Sequence, residues 1–172
     1  MEISSFIAGV SGGFVVKSFD LIAAHFRRQV ATRRGVQAIL HDLNVNLDLM
    51  RLAGVGGPNA DPENLVLCAQ LLVTDSLKDP FHEAKRGEDS ILKLLNTIQF
   101  VTEDDGSEGV QFGLTHNTAI QSVVYLKNKI DVLKILATSQ CAPLRANARL
   151  GVRLTNIQRC SSSLASLLRN QA

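Results

Sequence analysis

Two stretches near the end of this chain repeat apolar residues at alternating steps of four and three, and this constrains the fold more than any other feature. The first is Ala119, Val123, Leu126, Ile130, Leu133 and Ala137; the second is Leu150, Leu154, Ile157, Ser161, Leu164 and Leu168. That spacing lines up one face of an α-helix, whereas a strand would repeat every second residue. Residues 140–143 (Gln-Cys-Ala-Pro) separate the two stretches. So short a connection predicts antiparallel neighbours in a left-handed bundle with shallow crossing angles.

The same alternation runs through Val36, Leu40, Leu43, Leu47 and Met50. It predicts a long first helix that reaches about Ala53 and ends at Gly54-Val-Gly-Gly-Pro58, where glycine can take the left-handed closing conformation. Asp61-Pro62-Glu63 then opens a second helix: Asp61 caps, Pro62 suits the first turn and Glu63 suits the positive end of the dipole. This helix is expected to run to about Lys78 and to break at Asp79-Pro80. A third is expected from about Glu88 to Thr97. Residues 98–114 read equally as a small β-hairpin or as an acidic loop around Glu103-Asp-Asp-Gly-Ser-Glu-Gly109. The expected fold is all-α: an antiparallel helical bundle over residues 29–172, preceded by a distinct segment, 1–28.

Composition agrees with a folded domain. The 172 residues are 45% apolar and 20% charged, too apolar for disorder and too polar for a polytopic membrane protein. With no Trp and one Tyr the core must be aliphatic. Three widely spaced cysteines, Cys68, Cys141 and Cys160, have no metal-type spacing and read as reduced structural thiols. Charge is unevenly spread. Residues 1–60 hold six basic and four acidic groups, 61–113 four and eleven, and 114–172 eight and one. The acidic middle and the basic C-terminal part can therefore attract each other within or between copies.

Residues 3–16 carry no charge, and within them Ser5, Gly9 and Gly13 recur every fourth residue. On a helix these small residues form one face that another helix can approach closely, the expected packing or oligomer face. Phe6, Phe14 and Phe19 are the expected lipid contacts. Arg27, Arg28, Arg33 and Arg34 follow and suit phospholipid headgroups or an acidic partner. The uncharged run is fourteen residues, short of the roughly 20 that span a bilayer. Extending it to Phe26 takes in Lys17, Asp20 and His25. A cleaved signal peptide fits poorly, because Glu2 precedes the run and no Lys or Arg does. The segment is read as membrane-directed or oligomerising on the cytoplasmic side; the competing reading makes it an ordinary core helix of a soluble interaction or regulatory module.

Nothing along the chain names a reaction or a cofactor. His25, His41, His82 and His116 lie in separate segments, and His82-Glu83 lacks the second His of a zinc helix. Gly54-Val-Gly-Gly57 follows a helix and has no phosphate-loop Lys after it. Arg145, Arg149 and Arg153 recur every fourth residue and predict a basic face on the last helix, for the acidic middle segment or anionic lipid. Nucleic acid is disfavoured, because stacking aromatics are scarce and the helix at 88–97 with its acidic turn would repel phosphate if read as a winged helix.

Two resemblances bear on function. The first thirty-odd residues, with their Gly-containing apolar run and arginine pairs, resemble in layout small bacterial proteins with one N-terminal anchor. They also resemble membrane-permeabilising helical bundles of defence and cell-death systems, such as HeLo-type domains. The second resemblance implies helix release, insertion and oligomer formation. Arg34 and His41 are similar to the Arg-x(4–6)-His motif of helical ribonucleases of the HEPN class, which would imply phosphate stabilisation by Arg34 and proton transfer by His41. The expected function is a non-enzymatic, membrane-associated, self-assembling protein.

Overall fold

The computed structural model describes residues 3–58, 60–85, 89–99, 118–140 and 149–171, with side chains from Leu21 onward except Ile22 and 83–85. Among the described residues the fold is all-α. The helices are α1 (Ile3–Leu52), α2 (Pro62–Leu71), α3 (Asp75–Lys85), α4 (Ser90–Thr97), α5 (Ala119–Thr138) and α6 (Leu150–Arg169). The chain divides into two compact units, Met1–Arg34 and Gly35–Ala172.

In the second unit α5 is the central element and touches α2, α3, α4 and α6. The seam residues Ala119, Val123, Leu126, Ile130, Leu133 and Ala137 are all buried, as are Leu154, Ile157, Ser161, Leu164 and Leu168 of α6. Val36, Ile39, Leu40, Leu43 and Met50 of α1 join the same core. Burying each large aliphatic side chain contributes about 1.5–3 kcal/mol, which explains why the four-and-three alternation carries so much of the fold.

Helix α1 closes at the predicted glycine. Gly54 is left-handed (φ 69°); its N–H donates to Arg51 O at 3.1 Å, and Val55 N–H donates to Met50 O at 3.0 Å. This paired closure satisfies two orphan carbonyls, with Val55 and Met50 both buried behind it. Asp61 caps α2 as expected, its Oδ1 accepting from Glu63 N–H at 2.9 Å.

The second predicted helix is corrected. It stops at Leu71, residues 72–74 are not helical, and α3 begins at Asp75 with Pro80 inside it. The break comes earlier because other helices fix it. Leu72 and Thr74 are buried, so this link cannot satisfy its backbone with water. Asn46 of α1 does so instead. Its Nδ2 donates to Val73 O at 2.8 Å and its Oδ1 accepts from Val73 N–H at 2.6 Å. Asp42, one turn earlier on α1, accepts from Ser76 N–H at 2.8 Å and so caps α3 from a distant part of the chain. Thr74 Oγ1 donates to Asp131 Oδ1 of α5 at 3.4 Å.

Where α1 meets α4 the fit requires glycine. A Cβ on Gly35 would run into Cδ1 of Ile91, and Ile91 is buried. Elsewhere in the unit Gln70 Nε2 donates to Ala137 O at 3.2 Å, and Arg169 donates to Asn44 Oδ1 at 3.0 Å. The expected hairpin at 98–114 lies outside the described residues, apart from an antiparallel bridge between Gln99 and Thr118.

Candidate interaction surface

Among the described residues ten large apolar side chains are exposed; Leu52, Leu67, Leu71 and Val152 are four of them, and the other six fall in two places. The first is the outer part of α1. Leu21, Phe26 and Val30 are 72%, 61% and 46% exposed, and Arg27, Arg28, Arg33 and Arg34 are exposed among them. Local bonds order this stretch: Gln29 Nε2 lies 3.0 Å from His25 Nε2, Thr32 Oγ1 donates to Arg28 O at 2.8 Å, and the His25 ring meets Phe26 edge-on. Exposed apolar side chains thus stand among exposed arginines on this stretch of α1.

The small-residue face of Ser5, Gly9 and Gly13 and the aromatic residues Phe6, Phe14 and Phe19 stand on the same helix, but their side chains lie outside those described. Sequence reading favoured that face and passed over another. Val16, Phe19, Ala23, Phe26 and Val30 also alternate by three and four, the signal that would have singled out Phe26 and Val30.

Among the described residues no helix is long and apolar enough to cross a membrane. Fourteen uncharged residues rise about 21 Å against a hydrocarbon core of about 30 Å.

The second place is the outer face of α5, where Val124, Val132 and Ile135 are exposed. A shallow cavity of about 540 Å³ lies there against Ile120, Val124, Tyr125, Asn128, Lys129 and Val132. Lys129 Nζ lies 5.6 Å from the Tyr125 ring centre, a cation–π distance.

The basic face expected on the last helix changes form. Helix α6 starts at Leu150, with Arg149 before it in the left-handed region (φ 46°). Arg149 and Arg153 therefore do not continue one helical row, and Arg145 lies outside the described residues. Among the described residues the ion pairs Arg51–Asp48, Lys93–Asp89 and Lys127–Asp131 each join residues three or four apart. Such pairs support single helices and do little to hold helices together.

Nothing described assembles a catalytic constellation from the sequence candidates. Arg34 and His41 are both exposed. Among the described residues no group of three or more His, Cys, Asp or Glu side chains could hold a metal ion. Cys68 and Cys160 are free and buried; burial pushes their thiols up to about 11 and about 12, which disfavours the nucleophilic thiolate. Cys141 lies outside the described residues. Burial likewise raises the Tyr125 hydroxyl to about 12. Comparison of the chain with protein-family models, curated proteins and solved structures finds no match in any of the three.

Proposed function

We propose that this chain is a non-enzymatic helical-bundle protein whose N-terminal unit, Met1–Arg34, is an assembly element that brings copies together. The exposure of Leu21, Phe26 and Val30 on a continuous helix carries the reading. Covering those side chains against another protein surface removes apolar area from water, at roughly 25 cal/mol per Å². The Ser5, Gly9 and Gly13 face offers a second strip of close approach on the same helix.

A second reading rests on the four exposed arginines that alternate with these apolar groups. A helix with that mixture lies in a lipid interface, apolar side chains among the acyl chains and arginines at anionic headgroups. It requires no spanning segment.

The test compares the full chain with a version lacking residues 1–34, by light scattering after size exclusion and by flotation with anionic vesicles. Assembly requires an oligomer that the shortened chain loses while its helical content per residue is kept. A full chain that is monomeric throughout and floats with anionic vesicles favours the interfacial reading. A shortened chain that assembles like the full one refutes both.

A further inference from the structure

We draw no further inference here: the strongest candidate, the shallow apolar cavity on the outer face of α5 against Tyr125 and Lys129, carries nothing, because among the described residues its lining comes from that one helix and nothing in the structure shows what covers it.

Discussion

Removing the side chain of Asn46 should unlock the α2–α3 link, and its two hydrogen bonds to Val73 set the size of the effect. Asn46 is fully buried and satisfies both the N–H and the C=O of Val73, at 2.6 and 2.8 Å. Asn46→Leu keeps the branching of the side chain, makes it larger, and deletes both partners. Each of the two stranded backbone groups costs about 1–3 kcal/mol, and the added apolar burial returns about 1 kcal/mol, for a net loss of about 1–5 kcal/mol. That is a large share of the 5–15 kcal/mol typical of a domain. Asn46→Asp gives a sharper test because its penalty depends on pH. The new carboxyl still accepts from Val73 N–H, but its second oxygen faces the Val73 carbonyl, which favours the protonated form. A carboxyl raised in the folded state contributes stability below its unfolded value of about 3.9, and that contribution is lost as pH rises. Relative to the parent, the variant should therefore be nearly neutral at about pH 4 and lose about 1.4 kcal/mol per pH unit until its folded value is passed. Urea unfolding followed by far-UV circular dichroism at about pH 4 and pH 7 measures both variants. Asn46→Leu within about 0.5 kcal/mol of the parent, or Asn46→Asp with no pH dependence, would show that the clasp contributes nothing to stability.

Other consequences can be measured in the same assay. Gly35→Ala should destabilise by about 1–3 kcal/mol although alanine is the better helix former, because its Cβ meets Ile91; adding Ile91→Val, which removes the clashing methyl, should recover part of the loss, and no recovery would exclude the steric cause. Ser161 is fully buried in the α6 seam and its hydroxyl has no hydrogen-bond partner, so Ser161→Ala should stabilise by about 1 kcal/mol; a loss of stability would mean that the hydroxyl is satisfied. Cys160 ionises near 9 when unfolded and at about 12 when folded, so stability is complete below about pH 9 and falls by about 1.4 kcal/mol per unit above it. Cys160→Ala should flatten that slope between about pH 9 and 11 while Cys68, raised to about 11, maintains the remainder; an unchanged slope would contradict the shift.

How much of this was legible in the sequence depended on whether the cause was local. The α5 and α6 seams could be read because each residue's burial follows from its own place in a repeating pattern. The closure at Gly54 and the cap at Asp61 were legible because the partner groups lie within a few residues. The link at 72–74 was not, since Asn46 and Asp42 act across 27 and 34 residues. Pro80 was taken as a breaker on its usual chemistry, yet it lies within α3. On α1 the uncharged run with its small residues drew attention to Ser5, Gly9 and Gly13. Exposure, which pattern alone cannot supply, separates Phe26 and Val30 from an ordinary core stripe. The spacing of Arg149 and Arg153 does not mark where a helix starts, and α6 starts after Arg149.

The central position of α5 gives the order of synthesis a physical meaning. The helix against which α2, α3 and α4 rest begins at Ala119. Until it leaves the ribosome, Leu65, Leu77, Ile91 and Leu95 lack their common support, although the chain that carries them already exists. Translation at about 5–20 residues per second therefore leaves a nascent chain for seconds with an open apolar trough, the kind of surface that chaperones bind. A ribosome stalled before residue 119 holds four helical segments without their keystone, and release of such a product yields an aggregation-prone fragment instead of a smaller domain.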